Sequence, residues 1–209
     1  PNILTILYDL FGYDKDFKQD IVVDSPLAVK ILKHYLEVLE GDDYLKLKEV
    51  MDWKNLILIE DAVDSKEYMS RAKNCVVLTA AGMLGAGRSR IWLKHIISGR
   101  KNTLLFVGYA SHNTLASKIK DNKGKGVIKI DSKTYPNRCK IMDLKSFTSH
   151  MQYDDLLHYY STVQADKICL VHGDFNSKCE FAKELQKEID KKFGRARVVI
   201  VNKGTSIKL

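Results

Sequence analysis

The sequence predicts an α/β protein built around a parallel sheet, and two features of its first half support this fold class. Short runs of consecutive apolar residues recur there, each with the length of a buried strand. Segments of helical periodicity, with their own start and stop signals, separate the apolar runs. Strands that alternate with helices are typical of βαβ units, in which neighbouring strands run parallel.

The elements of the first half follow from these signals. Ser25 and Pro26 suit the N-cap and the first position of a helix, and Gly12 and Gly41 are expected to end helices. The predicted strands cover residues 21–23, 56–59, 75–79 and 103–107. Helices are predicted over residues 3–12, 26–39, 44–51, 65–72, 88–97 and 114–119. The helix after Ser25 is expected to bury a face formed by Leu27, Ile31, Tyr35 and Val38.

The pattern changes after Lys120. Strands over residues 127–130 and 140–144 are expected to form a hairpin across a turn at residues 135–137. A helical segment and a short strand, residues 168–171, come next. The chain then continues with a helix over residues 178–193 and closing strands at residues 198–201 and 206–209.

The charge composition of the chain favours one class of binding partner. The 209 residues include 34 Lys and Arg against 26 Asp and Glu, a net charge of +8 that suits a polyanion such as nucleic acid. A lysine-rich genome also gives basic proteins, so the charge does not by itself require such a partner. No apolar run approaches the ~20 residues of a membrane span. Cys75 and Cys169 lie in apolar runs, so we expect small buried thiols in a reducing compartment.

Two histidines stand out in the second half. His150 lies in a polar turn, and His172 comes at the end of the predicted strand 168–171, directly before Gly173. Side chains at the carboxyl ends of successive strands meet in the crevice where α/β proteins bind ligands. A single histidine is more often a core or surface residue, so the prediction of a shared site depends on the pair.

A glycine-rich segment follows the third predicted strand. It contains Gly82, Gly85 and Gly87, and with Arg88 and Ser89 it fits the P-loop pattern except that arginine replaces the lysine. No second acidic strand for magnesium is evident, which argues against nucleotide hydrolysis. Its amides and the following helix N-terminus can still bind an anion, so these five residues are predicted to contact a phosphate group of a nucleic-acid backbone. A tight turn without any ligand explains them equally well.

Several segments resemble motifs of the β-CASP branch of the metallo-β-lactamase family, nucleic-acid nucleases related to the pre-mRNA 3′-end processing endonuclease. Members carry one histidine after a Ser-Phe-Ser-type turn and a second in a Val-His-Gly stretch, which correspond here to residues 146–150 and 170–174. Residues 22–28, 79–89, 107–116 and 201–204 are also similar to family segments, with Asn113 in place of a usual glycine.

The resemblance implies a β-CASP domain over residues 1–120 and the C-terminal part of a metallo-β-lactamase αββα domain over residues 121–209. The family's His-x-His-x-Asp-His zinc motif, which precedes the β-CASP domain, is not in this sequence. We therefore expect the N-terminal metallo-β-lactamase half to be missing from this chain. We also expect the chain to fold its β-CASP part and to be inactive as a nuclease by itself.

The resemblance also implies roles for three residues. His172 is expected to bind one of two zinc ions, His150 to act as the general acid, and Ser149 to contact a phosphate. A histidine at position 172 favours RNA in this family, so the implied activity is zinc-dependent RNA hydrolysis in RNA processing or degradation. Two alternatives stay open: a DNA nuclease of the same fold and a catalytically silent nucleic-acid-binding subunit. A homodimer, a cytoplasmic location and no membrane partner are also expected.

Overall fold

The structure, a computed structural model, describes residues 2–144, 151–192, 194–202 and 204. The chain divides into two compact units, Pro1–Thr148 and Ser149–Leu209. The predicted domains divide it earlier, after residue 120, whereas the strands between residues 127 and 143 belong to the first unit. Among the described helices, none is long and apolar enough to cross a membrane.

The first unit has alternating helices and strands, as predicted. In chain order its elements are α1 (Asn2–Tyr13), β1 (Ile21–Asp24), α2 (Pro26–Val38), α3 (Gly41–Met51), β2 (Leu56–Ile59), α4 (Ala62–Arg71), β3 (Val76–Leu78), α5 (Gly87–Ile96), β4 (Thr103–Phe106), α6 (Leu115–Asn122), β5 (Val127–Ile130), β6 (Lys133–Pro136) and β7 (Lys140–Asp143). The four strands predicted for the first half of the sequence are thus confirmed.

A three-stranded parallel sheet in the order β2-β1-β3 forms the centre of this unit. All four residues of β1 are buried, because helices cover both faces of the sheet. One face, with Ile21 and Val23, packs against α1, α2 and α3. The other face, with Val22, packs against Tyr68 of α4 and Trp92 of α5. The continuous apolar run of β1 therefore reflects a strand at the middle of the unit.

Capping residues fix where several helices begin. The Ser25 hydroxyl accepts a hydrogen bond from the amide of Ala28, which confirms the predicted N-cap of α2. Asp61 caps α4, so this helix begins before the predicted residue 65. The two predicted glycine stops are wrong: Gly12 lies inside α1, and Gly41, with a φ of +58°, is the first residue of α3.

The predicted buried face of α2 is only partly correct, because Tyr35 packs against the core but the two ends of the face do not. Leu27 and Val38 are 68% and 54% exposed, whereas Val29 and Leu32 are buried. The reason lies in the buried N-cap Ser25, which directs one side of the helix toward the sheet. Residues four and seven positions later lie on that same side, and these are Val29 and Leu32.

The hairpin predicted for residues 127–144 is wrong as well. β5 pairs antiparallel with β6, with Ile128 opposite Tyr135, while β7 pairs parallel with β4. The tight turn lies at Asp131, whose φ is +56°. Pro136 ends a strand with only one neighbour in the described residues, a position that proline tolerates because no amide is needed there. A second core, with Ile97, Phe106, Ile119, Ile128 and Ile130, lies beneath these strands.

The second unit contains α7 (Tyr153–Ser161), β8 (Lys167–Leu170), α8 (Phe175–Lys191) and β9 (Arg197–Ile200). β8 and β9 pair in parallel, and Ile168, Leu185 and Ile189 form the centre of a small core. Cys169 is exposed, so the prediction of a buried thiol is wrong at this position; its side of β8 faces away from α8. The closing strand predicted at residues 206–209 lies outside the described residues.

Candidate nucleic-acid interface

A buried carboxylate, Asp24, lies at the carboxyl end of the parallel sheet in the first unit. It is the last residue of β1, and none of its side chain reaches solvent. The Ser65 hydroxyl and the Trp92 indole N–H donate hydrogen bonds to Asp24 Oδ2 at 2.5 and 2.7 Å. The side chain thus joins β1 to α4 and α5 at the edge where α/β proteins commonly bind ligands.

Arg88 supplies the positive charge that balances Asp24. Its Nε lies 3.4 Å from Asp24 Oδ1, and its side chain is only 12% exposed. The same guanidinium donates a hydrogen bond to the carbonyl of Glu60 at 3.1 Å. Because an unpaired buried charge is costly, this arginine is held at Asp24 in the folded protein. Its predicted contact with RNA stays a prediction.

The loop between β3 and α5, residues 79–86, is held on its buried side by hydrogen bonds from Ser89. This residue is 4% exposed, and its hydroxyl donates a hydrogen bond to the carbonyl of Ala81 at 2.8 Å. Its amide donates to the carbonyl of Ala80 at 3.2 Å. The Ser89 hydroxyl therefore faces protein, so the predicted contact of this group with RNA does not fit its position.

Arg90 fastens the loop from the outer side. It donates hydrogen bonds to the carbonyls of Leu84 and Gly85 at 3.1 and 2.8 Å, and its Nε and a terminal nitrogen donate to Asp131 at 3.1 and 2.6 Å. Lys94 also pairs with Asp131, at 2.5 Å. Hydrogen bonds from Lys94 and Arg90 hold the pKa of Asp131 below its usual value.

The three predicted glycines lie along this loop. Gly82, Gly85 and Gly87 are exposed, and Gly87 has a φ of +75°, which favours glycine. Within the described residues, the amides of Gly85, Ala86 and Gly87 donate no hydrogen bond, while nearby carbonyls bond to Arg90. These amides lie at the N-terminus of α5, an arrangement that suits an anion.

The loop after β4 contacts this glycine-rich loop through Met83. The amide of Ala116 donates to the Met83 carbonyl at 3.3 Å, and the amide of Ser111 donates to the Met83 sulfur at 3.3 Å. Asn113, which replaces the glycine usual in the resembling family, has a φ of +64°. Asparagine adopts this left-handed backbone more readily than most residues, so the substitution preserves the turn.

In the second unit, a four-residue connection between β8 and α8 displays His172. This histidine is exposed and follows β8 by two residues, close to where the sequence predicts it. Gly173 has a φ of +121°, a conformation that requires glycine. Asp174 Oδ2 accepts hydrogen bonds from the amides of Asn176 and Ser177, at 3.1 and 3.2 Å, and so caps α8.

The predicted catalytic site also includes two residues of the segment that precedes α7 in sequence. His150 and Ser149 are outside the described residues, so the structure places neither the predicted general acid nor the predicted phosphate contact. Within residues 2–144, 151–192, 194–202 and 204, no three His, Cys, Asp or Glu side chains meet as a metal site. Hydrolytic zinc commonly has three protein ligands, and His172 offers one, so the described residues alone do not fit the metal.

Sequence reasoning missed Asp24 and Asp131 as parts of this region. Asp24 lies 41 and 68 positions away from Ser65 and Trp92, and Asp131 lies 41 positions from Arg90. Charge alone does not identify such partners. An acidic residue directly at the end of a wholly apolar strand was nevertheless a usable signal, because a buried carboxylate requires a partner.

Comparison with known families agrees with these motifs. Residues 2–119 match the Beta-Casp domain family, and residues 134–200 match the Zn-dependent metallo-hydrolase RNA specificity domain family. The two matches lie on either side of the predicted domain boundary.

Three similar proteins are named for roles in RNA metabolism or transcription. Transcription termination factor FttA of Methanocaldococcus jannaschii is 32% identical over 130 residues, which are 59% of this chain and 20% of that protein. Ribonuclease TTHA0252 of Thermus thermophilus is 29% identical over 177 residues, 81% of this chain and 40% of that protein. Endoribonuclease ysh1 of Schizosaccharomyces pombe is 34% identical over 99 residues, 47% of this chain and 13% of that protein.

The chain therefore spans less than half the length of each of these relatives. The Beta-Casp match by itself covers more than half of the chain, and its alternating strands and helices agree with the α/β class. The resemblance seen in the motifs is thus confirmed: the chain belongs to the β-CASP family of metallo-hydrolases.

Proposed function

We propose that the protein to which these residues belong hydrolyses RNA phosphodiester bonds with zinc. In this proposal the chain supplies an RNA-binding surface and one metal ligand, His172. The observation that carries the proposal is the exposed imidazole of His172, displayed after β8 in the segment that matches the Zn-dependent metallo-hydrolase RNA specificity domain. Two of the similar proteins are named ribonuclease and endoribonuclease, which favours RNA over DNA.

The position of His172 suits a metal ligand. A neutral imidazole nitrogen binds zinc, and the Asp174 cap together with Gly173 fixes the backbone on the C-terminal side of the ring. Bound zinc would activate a water molecule and stabilise negative charge on the phosphodiester. The remaining ligands, for two ions, are proposed to come from an N-terminal metallo-β-lactamase half, since the described residues do not provide them.

Two further roles follow in the same proposal. The amides of Gly85, Ala86 and Gly87 hold a phosphate of the RNA, while Asp24 and Arg88 keep the loop in shape. His150 protonates the leaving ribose oxygen, and Ser149 contacts the adjacent phosphate. In this proposal the intact protein acts in the cytoplasm as a homodimer.

The test uses the complete natural protein that contains these residues. We expect it to hold zinc and to cleave single-stranded RNA faster than DNA of the same sequence. His172→Ala should lower the bound zinc and reduce cleavage by about a hundredfold or more, because ligand loss disturbs the metal directly. His158→Ala is the matched control, since His158 is an exposed histidine on α7 of the same unit.

Each outcome separates the alternatives. Equal effects of the two substitutions would remove His172 from the metal site. A preference for DNA would support the DNA nuclease, and a zinc-free protein that binds RNA without cleaving it would support the silent subunit. Robust cleavage by the 209-residue chain itself, abolished by His172→Ala, would contradict the proposed external ligands.

A further inference from the structure

Positive charge is concentrated in one stretch of the first unit. Residues 118–140 contain eight Lys and Arg side chains and two Asp, a net +6 out of +8 for the whole chain. Lys120 pairs with Asp143 at 2.9 Å. The other seven cations of this stretch form no ion pair with any part of the chain that the structure describes. This charge is therefore available to an external anion.

Two of these cations line a groove between α6 and β5, and two more lie in the loop that connects these elements. The groove has a volume of about 340 Å³, and Lys118 of α6 and Lys129 of β5 line it on opposite sides. Asn122, at the end of α6, and Val127, at the start of β5, also line the groove, and the loop between these two residues contains Lys123 and Lys125. All four lysines are exposed. We call this feature the basic groove.

The floor of the basic groove also contains other groups. Leu115, Val127 and Ile128 contribute apolar surface, and Asp121 contributes one carboxylate. The charge around the groove is still positive, because four lysines outnumber the single Asp121. Val127 is 62% exposed, so the groove offers an apolar contact beside its cations.

The loop of the basic groove is held in one shape. Lys123 has a φ of +46° and caps α6, and its amide bonds to the carbonyl of Lys120 at 3.2 Å. Gly124 has a φ of +75°, and a side chain there would come within 2.7 Å of the Cys139 carbonyl. The amide of Asn137 bonds to the carbonyl of Gly126 at 2.9 Å. The lysine backbones are thus positioned before any ligand arrives.

We propose that the basic groove binds the phosphate backbone of single-stranded RNA, through residues other than those of the glycine-rich loop and His172. Flexible lysines around an apolar floor suit a charged backbone whose bases can lie against Val127. Most of this surface, residues 120–133, lies outside both family matches, which end at residue 119 and begin at residue 134. The inference rests on the proposed function for its choice of RNA.

The experiment compares two triple variants of the 209-residue chain with equal changes in charge. The groove variant is Lys118→Gln, Lys125→Gln and Lys129→Gln. The control variant is Lys30→Gln, Lys46→Gln and Lys66→Gln, three exposed lysines of α2, α3 and α4 without ion pairs among the described residues. Binding of a labelled uridine oligoribonucleotide is measured by fluorescence anisotropy across a range of salt concentrations.

We expect the groove variant to bind roughly tenfold more weakly and to lose about 2 from the slope of log affinity against log salt, since three phosphate contacts are removed. The control variant should change the slope by much less. Equal losses in both variants would overturn the groove as a site. Unchanged binding in the groove variant would also overturn it, whereas a chain that binds no RNA would contradict the proposed function itself. Thermal unfolding of both variants checks that each is folded.

Discussion

Two connections between a strand and a helix, taken together with the first turn of the helix that follows, carry most of the predicted site residues, and they are stabilised in different ways. In the first unit, residues 79–86 connect β3 to α5 and are held by the buried Arg88–Asp24 pair, by Ser89 and by Arg90. In the second unit, residues 171–174 connect β8 to α8 and are held chiefly by the cap at Asp174.

The difference separates two kinds of functional surface. The first connection is organised entirely by contacts within its own unit, so its amides are arranged before a ligand binds. The second displays an exposed imidazole, and its proposed role as a zinc ligand requires further ligands that the described residues do not supply. Substitutions in the first connection should therefore change folding and ligand contact together, while His172 can be changed with little effect on folding.

The largest expected effect comes from breaking the buried ion pair. Arg88→Met leaves Asp24 without its countercharge in a site closed to solvent, and should lower the free energy of unfolding of the first unit by about 3–5 kcal/mol. Urea denaturation followed by tryptophan fluorescence reports this directly, because Trp92 donates a hydrogen bond to Asp24.

The double variant Asp24→Asn with Arg88→Met is the control, since it removes both charges while the amide oxygen of Asn can still accept the hydrogen bonds from Ser65 and Trp92, and it should recover much of the lost stability. His172→Ala should stay within about 0.5 kcal/mol of the unchanged protein, as exposed side chains usually do. An Arg88→Met protein as stable as the unchanged one would show that the pair does not stabilise the first connection.

The same comparison shows which features a sequence can predict. Strands β1 to β4 were predictable because their apolar runs are bounded by clear caps and turns, such as Ser25 before α2. The partners of Arg88 and Arg90 were not, because they depend on how distant segments meet. The face of α2 was misassigned at Leu27 and Val38 because the apolar pattern allowed two sides, and the buried side is the one that carries Val29 and Leu32.

The second half of the chain was harder to predict for a related reason. Tyr135 and Pro136 have the composition of a turn, yet they complete β6, while β7 pairs with β4 from an earlier part of the chain. Pairing over such a distance has no local signal. The position of His172 in the fold was easier to predict because it depends on two local features. These are the strand β8, which precedes it, and Gly173, which follows it.

A smaller effect is expected at the second connection. Asp174→Ala removes the oxygen that accepts hydrogen bonds from the amides of Asn176 and Ser177, and should destabilise α8 by about 1 kcal/mol. Hydrogen exchange of the first turn of α8 measures the loss locally. Asp174→Ser should restore most of the protection, and equal exchange in the alanine and unchanged proteins would exclude a stabilising cap.

Asp131 pairs with Arg90 and Lys94 on the outer side of the first connection, and these ion pairs predict that the stability of the fold depends on pH. The pKa of Asp131 is lowered by its hydrogen bonds with Lys94 and Arg90, so its ionised form stabilises the folded state. This contribution is complete above the unfolded pKa of about 3.9 and disappears as the pH falls through the lower folded value. Asp131→Asn should therefore be less stable than the unchanged protein near neutral pH, and the two should converge in acid. Thermal unfolding at a series of pH values tests the convergence, and a constant difference would assign the effect to something other than this charge.

The smallest effect concerns the rate at which the cysteines react with a thiol reagent, because this rate depends on how well each unit shields its thiols from solvent. Burial raises the pKa of the Cys139 and Cys75 thiols in the first unit, and Cys139 is buried between strands, so little reactive thiolate reaches solvent there. Cys169 on β8 of the second unit is exposed. A thiol reagent applied to the folded chain should therefore modify Cys169 well before Cys139, with Cys169→Ser removing the fast phase and Cys139→Ser leaving it intact. If Cys139 reacted as fast as Cys169, the first unit would be opening readily, and the preorganised glycine-rich loop inferred from its buried contacts would not persist in solution.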